Sequence, residues 1–347
     1  MNEHPSAAEL QAFAASAVRA CEACEALSPQ AAALQLATDG LLAILAPEPL
    51  GLDLHRAFAR PVIAAAAHSR LGFSLVETLA ASSLLAAATP RIAEAVLAGQ
   101  ELLTATRVAL LRADALDGEF LLNGVTGECA LVQDAHWLLT PITIGAEGRA
   151  LAIVDLRAIR QTVEPRGELD IGRPCGVLSL TDHRIPASHV VVQADLLSAY
   201  HADELILRAL DLHACAQSAL DLALAHVSTR SQFGRKLVSF QALRHDLARA
   251  RMALENGERL VEQALASASL DTALADAEQA YAHAAAVTPG IAELALQMHG
   301  GMGFTWDVPV HLYLRRIRAQ IAGFGAAQAR EQVAERAIAQ ALLPLSA

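Results

Sequence analysis

The sequence predicts a mainly helical α+β chain, in which helices come first, a β block follows, and longer helices return. Three observations carry this prediction. Apolar residues recur at helical spacing from Ala7 to about Leu103, and again from Leu196 onward. Between them, from about Thr104 to Asp195, short and partly β-branched runs alternate with Gly, Pro and Asp, the texture of an antiparallel β domain. Residues are 54% apolar, 18% charged and only 4% aromatic, a composition suited to Ala/Leu-rich helices whose small side chains let axes approach. The predicted boundaries are 1–103 for an N-terminal helical domain, 104–195 for a middle β domain and 196–347 for a C-terminal helical part.

The first part contains the helical runs ELQAFAASAVRACEAC, AAALQLATDGLLAILA, DLHRAFARPVIAAAAHS, SLVETLAASSLLAAA and RIAEAVLAGQELL. Breaks fall at Pro47, Pro49 and Gly51, near Gly72 and at Pro90. In the β block, EFLLNG reads as a strand that ends in an Asn-Gly turn. CALV, HWLLTPITIG, RALAIVDL, GVLSLT and HVVVQADL follow it. The last part predicts helices over roughly 199–229, 235–268, 272–298, 309–321 and 326–342.

Several function classes are excluded by composition. A formal charge of -11 does not make a nucleic-acid surface, which needs a basic face to neutralise phosphates. The run closest to a membrane span, LQLATDGLLAILAPEPL, is interrupted by Asp39, Pro47 and Glu48. The opening MNEHPSAAEL lacks a basic region followed by an apolar run, so no secretory signal is expected. There are five cysteines, and CEAC at Cys21 to Cys24 invites a metal or redox reading, but it has no second pair or nearby histidine cluster and reads as helix filler; the compartment expected is the reducing cytoplasm. The thirteen histidines show no metal-ligand spacing, and no metal site is expected. Asp211 and His213 are two apart and cannot face each other on a helix. Trp137 and Trp306 read as packing residues.

Two stretches carry chemistry. The first, STRSQFGRKLVSFQ, places Arg230, Phe233, Gly234, Arg235 and Lys236 in a positive break between two helices of an acidic protein. Arg230 offers a planar fork of donors suited to phosphate or carboxylate. If Gly234 to Lys236 open the next helix, its free N–H groups and dipole also favour an anion. The second stretch, LALQMHGGMGFTWDVP, ends a helix with Gln297 and His299 and then three glycines at 300, 301 and 303. One glycine would serve as a cap, whereas three let backbone approach a ligand.

Together these stretches resemble the acyl-CoA dehydrogenase family of flavoproteins. Its pattern is Arg-x-x-Phe-Gly, then Phe-Gln or His-Gln, then Gln-x-x-Gly-Gly-x-Gly. Weaker echoes are APEPLGLDL at Ala46 to Leu54, LDGEFLLNG at Leu116 to Gly124 and DHRIPASHVV at Asp182 to Val191. The resemblance spans nearly the whole chain. It implies the family architecture of helices, β domain and C-terminal four-helix bundle, with FAD as cofactor. Carried onto this chain, Arg230 pairs with the pyrophosphate of a neighbour's FAD and Gln232 hydrogen-bonds to it. Phe233 and Leu237 pack near the adenosine part, and Gln241 lies close by. Gln297, Gly300 and Gly301 approach the same cofactor from the partner's side.

The implied chemistry removes a proton alpha to a thioester with a carboxylate while the beta hydride passes to flavin. One family position for the base, a C-terminal Tyr-Glu-Gly-Thr loop, falls here on Phe324, Gly325 and Ala326, so the base is absent there. The other falls on Glu204, the candidate base. The bland reading of Glu204, and of Asp203 beside it, is an acid in the first turn of a helix, stabilised by the dipole. The family's Thr-Glu-Pro-x-x-Gly-Ser-Asp loop is missing from LLTATRVALLRADALDGEF. Its aromatic-Ile-Thr segment is replaced by Glu128 to Ala130. The adenosine end of an FAD site is thus retained and the flavin-ring end eroded, as in the shorter subunit of heterotetrameric, steroid-side-chain-type acyl-CoA dehydrogenases.

Three readings follow. The chain is an acyl-CoA dehydrogenase, or one subunit of a homo- or heterotetramer, that passes electrons to an electron-transfer flavoprotein. Alternatively, it is a catalytically silent subunit that completes another chain's FAD site. The third reading is an oxidase or hydroxylase on the same fold.

Overall fold

A computed structural model describes residues 5–146, 148–167, 169–267 and 269–342. The opening residues 1–4, on which the leader expectation partly rests, lie outside these. The chain divides into two compact units, Met1–Leu207 and Arg208–Ala347, with the boundary inside one long helix.

The first unit opens with α1 (Ala7–Ala23), α2 (Pro29–Thr38), α3 (Ala59–His68), α4 (Leu75–Ala88) and α5 (Pro90–Leu97). Ser6 caps α1 through a reciprocal box with Glu9, and Ser28 caps α2 ahead of Pro29. The expected helix over AAALQLATDGLLAILA stops at Thr38. Gly40 takes φ 73, its N–H donates to the Ala37 carbonyl, and the Leu41 N–H donates to that of Leu36. This is a Schellman stop. Leu41, Leu42, Ile44 and Ala46 are nonetheless buried, and Ala43, Ile44 and Ala46 accept backbone hydrogen bonds from Leu52, Leu54 and Asp53. The apolar run therefore reported burial rather than helix.

The strands are β1 (Leu103–Ala105), β2 (Ala109–Leu116), β3 (Glu119–Thr126), β4 (Cys129–Ala130), β5 (Trp137–Ile144), β6 (Gly148–Asp155), β7 (Val163–Pro165), β8 (Cys175–Pro186) and β9 (Val190–Val191). They pair in the order β4-β8-β3-β2-β5-β6-β9, with β1 joined to β5 and β7 to β8. Pairing is antiparallel except for β1 and β2, which run parallel to β5. Leu111, Leu122, Leu138, Ala152, Val154 and Leu178 are among the residues of the buried core on this sheet. The Asn123-Gly124 pair does not form the hairpin turn expected of it. It lies within β3, where the register with β8 shifts, and Asn123 exchanges hydrogen bonds with Asp182 on the facing strand. The turn is made one strand-length earlier by Asp117 and Gly118, both at positive φ.

The helix α6 (Ala194–Thr229) starts earlier than expected and crosses the unit boundary. The second unit holds its C-terminal part, the short strands β10 (Ser231–Gln232) and β11 (Arg235–Lys236), α7 (Gln241–Ala266), α8 (Leu270–His299), α9 (Val310–Gly323) and α10 (Ala326–Leu342). Within it α7, α9 and α10 all pack on α8, and α6 meets α7 where Gly257 leaves room for the His213 ring. Buried residues of α7 fall at Leu247, Ala250, Leu254, Gly257, Val261 and Ala264, one stripe at helical spacing. The result is the predicted helical bundle.

Candidate functional site

In the second unit, the positive break is a two-residue β-hairpin rather than the start of a helix. Ser231 pairs with Lys236 and Gln232 with Arg235, and the Leu237 N–H donates to the Arg230 carbonyl at 2.9 Å. Phe233 and Gly234 form the turn at φ 52 and 75, the two left-handed residues that such a hairpin requires. Because α7 begins only at Gln241, the expectation that Gly234 to Lys236 open it is corrected: the positive end of its dipole lies at Gln241. Gln241 is exposed, with its side-chain amide 3.5 Å from His245, and Leu237 sits half-buried in the 3-10 turn before it.

The hairpin is poorly explained by the chain's own packing. Phe233 is 91% exposed and touches Phe240 only edge-on, while Arg235 lies over the Phe240 ring at 3.9 Å. A non-glycine residue held in the left-handed region and facing water bears a local strain that binding sites commonly retain. Arg230 is exposed, and among the described residues it has no ion pair.

The glycine turn lies at the same end of this unit. Gln297 is exposed on the last turn of α8, His299 closes the helix, and Gly300 turns the chain at φ 59. A Cβ at Gly303 would stand 2.9 Å from Leu296, so that glycine serves packing. At Gly300 and Gly301 a Cβ would meet nothing within 4 Å, and both are exposed. Gly301 has no positive φ to explain it either. The two motifs are joined by His226, on the last turn of α6, whose ring stacks on His299 with centroids 4.6 Å apart. An unpaired guanidinium, an exposed amide and uncovered backbone beside it fit the diphosphate of a dinucleotide.

In the first unit, Glu204 is 1% exposed, and its Oε2 lies 3.7 Å from Nη1 of Arg107, in the loop between β1 and β2. Asp203 points elsewhere, with Oδ1 3.3 Å from Nε of Arg56. Burial pushes the Asp203 carboxyl up to about 6, with Arg56 opposing. Burial also lowers His201 on the same helix, with Glu204 acting against it. The first turn of α6 holds Asp195, so neither Asp203 nor Glu204 is a helix-start acid. Of the residues standing where the flavin-ring segment was expected, Glu128 is exposed, whereas Cys129 is fully buried, its thiol pushed up to about 12, and the Thr104 hydroxyl donates to the Ala130 carbonyl at 2.6 Å.

The loop carboxylate position in the second unit is occupied by a buried aromatic. Phe324 ends α9, and the Arg208 guanidinium lies 3.1 Å from its ring centre. Nearby in this bundle Gln320 donates to Asp211 at 2.7 Å. Of the tryptophans, Trp137 packs as expected: its indole N–H donates to Glu101, and the Arg157 guanidinium lies over its ring, 4.8 Å from the centre. Trp306 does not: it is 72% exposed, meeting His311 edge-on. Cys21 and Cys24 are buried in the α1 region, the Cys21 thiol raised to about 12, so neither offers a ready thiolate. Arg56, Arg107, Arg208 and the His226–His299 stack had no signal in the sequence as functional partners, because their contacts join distant segments.

Residues 204–339 match the family described as acyl-CoA dehydrogenase, C-terminal domain. A 3-sulfinopropanoyl-CoA desulfinase of Paraburkholderia xenovorans is 32% identical over 58% of this chain and 52% of its own length. The acyl-CoA dehydrogenase IpdE2 of Mycolicibacterium smegmatis is 30% identical over 57% of this chain and 59% of its own. The chain thus spans about half the length of the curated relatives it matches. In fold, it superposes on a chain of the ChsE4-ChsE5 complex from Mycobacterium tuberculosis with a TM-score of 0.84 at 20% identity, covering 97% of this chain and 99% of that one. Residues 204–339 thus match the C-terminal domain of the acyl-CoA dehydrogenase family, and the chain shares its fold along nearly its whole length with a chain of the ChsE4-ChsE5 complex.

Proposed function

We propose that the chain is a subunit of an FAD-dependent acyl-CoA dehydrogenase, oxidising an acyl-CoA thioester to the 2,3-enoyl-CoA and passing electrons to an electron-transfer flavoprotein. The observation that carries the reading is the exposed hairpin with an unpaired Arg230, placed beside the uncovered glycine turn. Arg230 would hold the pyrophosphate with Gln232, and Phe233 and Leu237 would cover the adenosine part with Gln241 nearby. Because His226 and His299 bring the two motifs together on one chain, Gln297, Gly300 and Gly301 would offer amide and backbone contacts from the same chain as Arg230 rather than from the partner's side. Bound flavin supplies the hydride acceptor. Covering Phe233 with a neighbouring chain and its cofactor is worth ~2 kcal/mol, which an isolated chain forgoes. A homo- or heterotetramer follows, and the two-chain ChsE4-ChsE5 assembly, which shares the fold, supports the heteromeric form. Both curated relatives are named for CoA thioesters, which supports that substrate class. Among the described residues no helix is long and apolar enough to cross a membrane, and all five cysteines are free, which suits the cytoplasm.

Glu204 is the base in this reading: it takes the alpha proton, and in doing so gives up its pairing with Arg107. That pairing, and the Arg208-covered Phe324 at the alternative base position, favour a second reading in which the chain is catalytically silent and completes the FAD site of a homologous subunit. An absorption spectrum and solution mass of the chain purified alone, then with any subunit that co-purifies, test both. Stoichiometric flavin and dehydrogenase activity in the isolated chain, lost in Glu204→Gln, support the first reading and eliminate the second. Flavin uptake only in a mixed oligomer whose activity survives Glu204→Gln supports the second. A chain that takes up no flavin in either state refutes both.

A further inference from the structure

The stack between His226 and His299 stands at the joint of the two cofactor motifs. The hairpin hangs from His226, because the Arg230 N–H donates to the His226 carbonyl at 2.9 Å. The glycine turn begins at the residue after His299. His299 is itself a fixed plate: it is buried, and its Nδ1 lies 2.8 Å from the Ala295 carbonyl one turn back, to which the ring N–H donates. The rings face each other tilted at 31° with centroids 4.6 Å apart. Burial, then His299 and Arg230, lowers His226 below the ordinary histidine range, so at neutral pH the ring is uncharged and stacks without repulsion.

We propose that His226 is a positioning residue for the flavin dinucleotide: its stack on His299 fixes the spacing between the hairpin that carries Arg230 and Gln232 and the glycine turn that carries Gln297, Gly300 and Gly301. The inference rests on the cofactor reading given above. The physical need is clear from the rest of the hairpin. Residues 228–236 are all exposed, so the hairpin has no packed face of its own to hold it. Two segments that must meet one extended anion at several points bind it more tightly when their separation is set beforehand than when each is ordered on contact. Interchange of the ring for a small side chain leaves the hairpin free to pivot on the end of α6 while the bundle core remains intact.

The test is titration of FAD into the flavin-stripped full-length chain, with any subunit that co-purifies, read by quenching of flavin fluorescence. His226→Ala is expected to raise the FAD dissociation constant about tenfold, the size of one stacked ring pair, with little change in the unfolding temperature of the flavin-free protein. His226→Phe, which keeps a flat ring, is expected to restore affinity to within about threefold. If His226→Ala does not fold, His226→Leu, which fills the space without a flat ring, replaces it under the same expectation. Arg230→Ala is the control. If it leaves FAD affinity unchanged, the cofactor reading and this inference fall together. If Arg230→Ala weakens binding while His226→Ala or His226→Leu does not, or if His226→Phe fails to restore it, the positioning role is wrong and the cofactor reading stands.

Discussion

Asp203 makes the stability of the first unit depend on pH in a direction opposite to that of most paired carboxylates. Its carboxyl sits at about 6 in the folded chain against an ordinary 3.8, because burial outweighs the attraction of Arg56 at 3.3 Å. The folded state therefore holds the proton more tightly than the unfolded state. The side chain's contribution is most favourable below pH 3.8, declines as pH rises from there to about 6, and is at its least favourable above. Full expression of that interval corresponds to ~3 kcal/mol. The 19% of the side chain open to water reduces it to ~1–2 kcal/mol. Asp203→Asn removes the titration while keeping shape. The stability difference, variant minus wild type, should then rise by ~1–2 kcal/mol between pH 4.5 and about pH 7. Urea unfolding followed by circular dichroism across that range measures it. A flat difference, or one that falls as pH rises, would show that the pairing with Arg56 outweighs burial and would overturn the argument.

Two further outcomes test the packing around the site. A Cβ at position 257 would lie 1.9 Å from Nε2 of His213, so Gly257→Ala should cost ~2 kcal/mol even after the ~1 kcal/mol gain in helix propensity. In a His213→Ala background the same substitution should become stabilising, and thermal melts of the four combinations give the answer. Glu204→Ala leaves the Arg107 guanidinium half-covered without its carboxylate and should destabilise by ~3 kcal/mol. The double change Glu204→Leu with Arg107→Met should recover most of that in the same melts, and a neutral Glu204→Ala would show that the pair carries little.

The sequence by itself determined the order of helices, sheet and helices, because periodicity reports which side of each segment is buried. It located α4 and α10 closely, ran α5 past its end at Leu97 into β1, and marked the Arg230 and glycine stretches as chemically unusual. Where burial and local conformation part, it misled. Leu41 to Ala46 are buried without being helical, since a left-handed Gly40 ends α2. Asn123-Gly124 has the residues of a turn, yet its facing strand supplies Asp182 and holds it in β3 as an irregularity. The break after Arg230 reads equally as a helix start or a hairpin, and cross-strand bonds of Ser231 and Gln232 made it the latter.

Only the tertiary structure decided what each candidate residue faces. Glu204 and Asp203 are neighbours in the chain, but α6 turns them by about 100° and hands them to different arginines, Arg107 and Arg56. His226 and His299 belong to different helices and meet because the bundle brings the end of α6 to the end of α8. Phe324 is an ordinary apolar residue until Arg208 covers it. Spacing along one chain encodes the faces of an element, whereas charge pairing and ring stacking depend on which faces the topology brings together.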